Sequence, residues 1–412
     1  MWWRPRAGRL MPRLDIVACL WLALVGTLSG SQSLYACPFC SAQGVTLSKE
    51  VEQATFVVHG KLINARLLNV QDGTGTTDLV IETIIKPHEY LKDKKILTLP
   101  RYVPTGGQDD VRFIVFFDVF MGRLDPFRGI PVKDKALVEY LQKAHALKDA
   151  KQPERLKLFF DYLEHPDPEI NTDAYKEFGN TSLEDVVQWI RSTDRDHVRK
   201  KLTQWLRSNE TPALRYGFYA FLLGLCGHKE DATVLHDLLK QRERDLVSGL
   251  DGVLTGLTLL RPEEGLQAID HILSNEKEDF TRRYAALRAV RFLWDNPPPG
   301  VQREALLVSV TKLLRQGDIA DLAIEDLRKW KRWEFAESIF GLYAQPSHNV
   351  PIIQRAILRY AISCAQQAQG KVGQLAQTFL AQRRKEDPKR VQDVEELLKF
   401  DEQLSKPAGA GL

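Results

Sequence analysis

Tyr216-Gly217-Phe218-Tyr219-Ala220-Phe221-Leu222-Leu223-Gly224-Leu225 opens a series of five apolar stretches. The others are Gly249–Thr258, Arg283–Phe292, Asp321–Trp330 and Gln354–Ser363, with starts 33, 34, 38 and 33 residues apart. Each has the spacing of a helix that buries one broad face. Amphipathic runs follow three of them, at 231–241, 263–274 and 303–315. An earlier unit opens at Pro153, turns at His165-Pro166-Asp167-Pro168, and continues in a second helix over 171–178. A two-helix unit at this period cannot bury its apolar face alone, so the pattern predicts stacked pairs, an α-solenoid. Gly249, Gly252, Gly256, Ala285, Ala286 and Ala289 are small enough to let neighbouring helices approach closely.

Upstream, the periodicity changes. Residues 41–53 read as a short helix. Runs at 55–65, 77–85, 96–99 and 111–120 are rich in β-branched and aromatic residues, with turn clusters at Asp72-Gly73-Thr74-Gly75 and Pro104-Thr105-Gly106-Gly107. Short strands at this spacing predict a small barrel or sandwich. The fold class is therefore α+β in several domains: an all-β, OB-like barrel or sandwich, then a solenoid of helix pairs. The expected divisions are 1–36, a signal peptide; 37–132, the β domain; 133–152, a helical linker; 153–405, the repeats; and 406–412, a tail.

The first segment carries Arg4, Arg6, Arg9 and Arg13, then an apolar run over 16–28, ending in Leu34-Tyr35-Ala36. A run of 13 residues is too short to span a bilayer, which takes about 20, and it matches an export signal starting at Met1 or Met11. Secretion to the periplasm or beyond is the expectation, with cleavage near Ala36. Without this segment the chain has 53 basic and 53 acidic residues, so composition gives no footprint for nucleic acid.

Four cysteines remain. Cys37-Pro38-Phe39-Cys40 outside the cytoplasm reads as a small disulfide, a redox couple, half a metal site or, at Cys37, a lipid anchor. Membrane attachment is expected only in the lipidated case. No histidine follows Cys40 for haem attachment, no second CxxC completes a zinc site, and no strand precedes the pair as thioredoxin-like chemistry requires. Cys226 and Cys364 sit in apolar helical runs and are expected in the core.

No nucleophile elbow, phosphate loop, dinucleotide motif or zinc-protease motif is present. No catalytic residue, metal ligand or cofactor is assigned. Two places are candidates for binding. Asp118, within the apolar strand 111–120, with Asp125 and Arg128 on an expected loop after it, forms one. The other is Lys329-Trp330-Lys331-Arg332-Trp333, where cations and indoles alternate. Each has a plainer alternative: an acid on an exposed strand face with an Asp–Arg pair, and a helix end with tryptophan inside and cations in water.

The helical part resembles HEAT-type repeats over about 150–400, with Asp167-Pro168 and Ala174 at a typical unit entry. The β part resembles netrin-like and TIMP-like OB modules of secreted proteins. That likeness rests on a cysteine at the mature start, a short helix, and Ala54-Thr55-Phe56-Val57-Val58-His59-Gly60-Lys61. The start is CxxC rather than CxC and the later stapling cysteines are absent, so the resemblance implies fold and not protease inhibition. The whole chain is similar to a group of secreted bacterial proteins that share Cys-Pro-Phe-Cys-Ser, Leu-Asp-Pro-Phe-Arg-Gly (124–129) and Leu-Gly-Leu-Cys-Gly (223–227). It implies architecture and compartment. The expected function is a secreted, non-enzymatic scaffold that binds a protein or peptide on the solenoid. The alternatives are a periplasmic redox or metal-handling protein using Cys37 and Cys40, and an enzyme with a site at the β–helical junction.

Overall fold

The computed structural model describes residues 39–40, 44–104, 110–241 and 248–404, with side chains to Asp401. Helix α1 (Leu47–Gln53) leads into β1 (Phe56–Asn69), β2 (Thr74–Lys86), β3 (Ile96–Leu99), β4 (Arg112–Phe120) and β5 (Arg123–Pro131). The five strands make one antiparallel sheet in the order β3-β2-β1-β4-β5, and the two outer strands approach each other. Phe56, Val58, Leu62, Leu79, Leu97, Val115 and Phe117 fill the core inside this curl. The alternate residues Val57, Ile85, Ile114, Phe116 and Ile130 face the other way and join a core shared with the helices. Burial on both faces is why β1 and β4 carry near-continuous apolar runs, where a half-exposed strand would alternate.

β5 differs from expectation. The segment holding Asp125, Arg128 and Gly129 was expected as a loop and is a strand paired with β4 from Phe113↔Pro131 to Phe120↔Arg123. Pro126 is tolerated there because β5 is an outer strand, whose free edge needs no N–H donor. Met121 and Gly122, at φ 50° and 73°, make the tight turn that joins it to β4.

Helices follow: α2 (Ala136–Ala146), α3 (Gln152–Tyr162), α4 (Pro168–Gly179), α5 (Leu183–Ser192) and α6 (Arg195–Arg207). Asp167, Ser182 and Asp194 cap α4, α5 and α6 by accepting from Glu169, Asp185 and His197 N–H groups. Beyond α6 the helices follow in succession, and five of them are α7 (Ala213–Cys226), α9 (Leu250–Leu260), α11 (Phe280–Asp295), α13 (Ala320–Lys329) and α15 (Pro351–Gln367), with α7 against α9, α9 against α11 and α13 against α15. These are the five stretches whose period was read from sequence. Between and after them come α8 (Ala232–Lys240), α10 (Pro262–Ser274), α12 (Arg303–Lys312), α14 (Ala336–Leu342) and α16 (Gly370–Glu386), with α10 against α12, α14 against α16, and α17 (Pro388–Leu404) packed against α15 and α16. Cys226 of α7 and Cys364 of α15 are buried, and burial pushes their thiols up to about 12 and about 11. No helix among the described residues is long and apolar enough to cross a membrane.

α7 and α9 meet backbone to backbone. A Cβ on Gly252 would lie 2.1 Å from the Gly217 carbonyl oxygen, and one on Gly256 2.2 Å from that of Ala220. Neighbouring units are also pinned by charge. Arg291 of α11 reaches Asp326 of α13 at 2.8 Å, and Arg359 of α15 reaches Glu325 of α13 at 2.8 Å. Arg215 and Arg283 occupy matching places near the starts of α7 and α11, and both are buried. Arg215 donates to Glu164 at 3.0 Å and Asn171 at 2.7 Å; Arg283 donates to the Glu278 carbonyl at 2.9 Å and Gln316 at 2.6 Å. Arg283 thus joins the loop before α11 to the loop before α13, and Arg215 joins α7 to the α3–α4 turn and the start of α4.

Candidate functional site

The Cys-Pro-Phe-Cys stretch ends on the helices, far along the chain. Phe39 is buried, its ring 4.7 Å from that of Phe221 on α7 and 4.9 Å from that of Phe292 on α11. Phe221 and Phe292 touch each other edge to face at 5.3 Å. Tilted and edge contacts of this kind set the positive rim of one ring against the negative face of the next. Cys40 is buried beside them in the core shared by sheet and helices. Gly44 is then fixed by Asn180 at the end of α4, whose amide donates to the Gly44 carbonyl at 2.8 Å. Cys37, like the signal-like residues 1–36, lies outside the described residues.

Immediately after Gly44, the first turn of α1 sits on two carboxylates of α4, Asp173 and Glu177. Four residues apart on a helix, they share one face. Asp173 accepts from the Leu47 N–H, from Ser48 Oγ at 3.3 Å and from Tyr140 OH at 2.8 Å. Glu177 accepts from Thr46 Oγ1 at 2.6 Å and from Ser48. Arg155 of α3 stands 3.8 Å from Glu177 and 3.1 Å from Glu52, so one cation serves acids on both sides of the joint. At the other end of α1, Lys86 of β2 donates to the Glu52 and Ala54 carbonyls, a cation at the negative end of a helix. Burial holds the Lys86 ammonium below the usual lysine range. Anchored at both ends, α1 fastens the sheet to the helices.

Burial pushes the Asp173 carboxyl up to about 6, against the opposing effect of its donors. Between its ordinary 3.8 and about 6, the folded chain holds this proton while the unfolded chain has released it. Stability therefore falls as pH rises through that interval, by about 3 kcal/mol at 1.36 kcal/mol per pH unit. Relative to the wild type, Asp173→Asn should gain that much between pH 4 and pH 7. Chemical denaturation of both proteins at each pH measures it, and a constant difference between them would refute the assignment.

The residues expected near the junction are not gathered into one constellation. Asp118 is exposed, next to the irregularity between Phe116 and Phe117, and accepts from the Thr55 N–H at 3.2 Å and its hydroxyl at 3.3 Å. Asp125 lies directly across from it on β5 and is exposed. Arg128 turns to α1 and pairs with Glu50 at 2.7 Å. In the second expected patch, Lys329 and Lys331 are exposed while both indoles are half-buried. Trp330 stacks on Trp294 at 4.2 Å, Trp333 packs edge-on against Tyr360 at 5.2 Å, and Arg332 pairs with Glu334 at 2.7 Å. Among the described residues, no three His, Cys, Asp or Glu side chains converge to hold a metal ion.

Sequence reading missed the aromatic seat and the carboxylate pair. Phe221 and Phe292 were read as members of apolar helices, and nothing local announces that Phe39 joins them. Comparison of the chain with protein families, curated proteins and solved structures finds no match.

Proposed function

We propose that this protein is an exported, non-enzymatic interaction scaffold. Its β module is an OB-type five-stranded barrel, a reading supported by the strand order and by the approach of β3 to β5. Its helices form a HEAT-like solenoid, a reading supported by the packing of α7 on α9, α9 on α11 and α13 on α15 and by the ion pairs that link α11 and α15 to α13. The row α7, α9, α11 binds an extended segment of a protein or peptide by taking an aromatic side chain as anchor. The observation that carries this reading is Phe39. An irregular segment remote in sequence already lies on that row, its ring seated between Phe221 and Phe292. Buried aromatic anchors of this type supply most of the energy in many peptide contacts.

Vacating the seat tests the proposal. The full chain carrying Phe39→Ala should bind a fluorescent Ser-Pro-Phe-Ser peptide more tightly than the wild type, whose own ring competes. Adding Phe292→Ala to Phe39→Ala should abolish the gain. Equal anisotropy titrations for the wild type and Phe39→Ala would mean that the row does not accept a segment from outside.

A further inference from the structure

We infer that the C-terminal end of the helical array is a contact surface for a second copy of this chain, paired two-fold. The last helix of a stacked array ordinarily turns a polar face to water, because nothing stacks upon it. α17, the last helix among the described residues, departs from this. Val391, Val394 and Leu398 form its buried stripe, and a second apolar stripe, Leu397 and Phe400, is 45% and 58% exposed. Pro351 and Arg355 of α15, with Val394, Leu397 and Phe400 of α17, line a cleft of about 750 Å³.

The charges around the cleft indicate its occupant. Its lining holds Arg355, Lys389 and Arg390 together with Asp387, Asp393 and Glu396, three of each sign. Arg390 is engaged within the chain by Asp387 at 3.2 Å and Gln354 at 2.5 Å. The side chains of Arg355, Lys389 and Asp393 have no partner among the described residues. A strongly acidic or basic partner would meet as much repulsion as attraction here. A second copy rotated two-fold meets neither problem, since the uncommitted cations of each can face the carboxylates of the other.

Sedimentation of the full chain should show a monomer–dimer equilibrium. Leu397→Glu and Phe400→Glu should each raise the dissociation constant at least about tenfold, the effect of losing one interface anchor. Both side chains are exposed, so thermal unfolding of the monomer should stay unchanged. Charge exchange gives the second measurement. A chain with Arg355→Glu and Lys389→Glu, and another with Asp393→Lys and Glu396→Lys, should each be monomeric alone and associate when mixed. A wild type that stays monomeric at the highest soluble concentration, a dimer indifferent to Phe400→Glu, or exchanged chains that ignore each other would overturn the inference.

Discussion

Gly252→Ala should destabilise the protein by about 3 kcal/mol, the upper part of the range for an overfilled core. The added methyl has no rotamer with which to escape. It would lie 2.1 Å from the Gly217 oxygen and 2.4 Å from its carbonyl carbon, so α9 must move away from α7 as a body. That movement would loosen the contacts of Gly224 with Gly256 and of Gly249 with Gly217 on the same line. Gly341→Ala provides the control. Gly341 lies within α14 with nothing within 4 Å of its would-be Cβ. There the same substitution should stabilise by about 0.5–1 kcal/mol, because alanine loses less backbone entropy on entering a helix. Denaturant midpoints of the two variants should move in opposite directions. Equal shifts would show that helix propensity, and not the close approach, governs both.

Phe221→Ala should cost about 3–5 kcal/mol, the usual loss for a fully buried phenylalanine. It should also release the N-terminal segment, because Phe221 is one of the two rings that hold Phe39. Limited proteolysis should then cut between residues 39 and 46 in Phe221→Ala faster than in the wild type. Phe39→Ala, Phe221→Ala and the double variant form a cycle whose coupling should be about 1 kcal/mol, the worth of one aromatic pair. Strict additivity would mean that the rings are neighbours without being partners.

Much of this fold was legible in the sequence because its signals are local and repeated. The five stretches predicted to share a period are all helical, in α7, α9, α11, α13 and α15. The run read at 96–99 is β3, and those read at 77–85 and 111–120 lie within or one residue beyond β2 and β4. β5 was read as a loop because Pro126 and Gly129 are breaker residues, and nothing in a single strand reveals that it sits at a sheet edge. The carboxylate pair was invisible for a different reason. Asp173 and Glu177 occur in a helix whose other features mark it as an ordinary repeat member. Their donors at Thr46, Leu47 and Ser48 lie more than 120 residues away. Arg215 and Arg283 stand beside tyrosine at the starts of two of the helices, and that recurrence was the one available sign that both are buried.

The seat of Phe39 also fixes an order of events in the life of the chain. Phe292 leaves the ribosome about 250 residues after Phe39, which at cellular rates is on the order of 10–50 s. For that interval Phe39 has no complete place to go, because only one of its two ring partners exists. A chain that crosses a membrane amino end first would emerge on the far side with this anchor exposed. The seating of Phe39 is thus a closing step, one that reports that synthesis has passed α11.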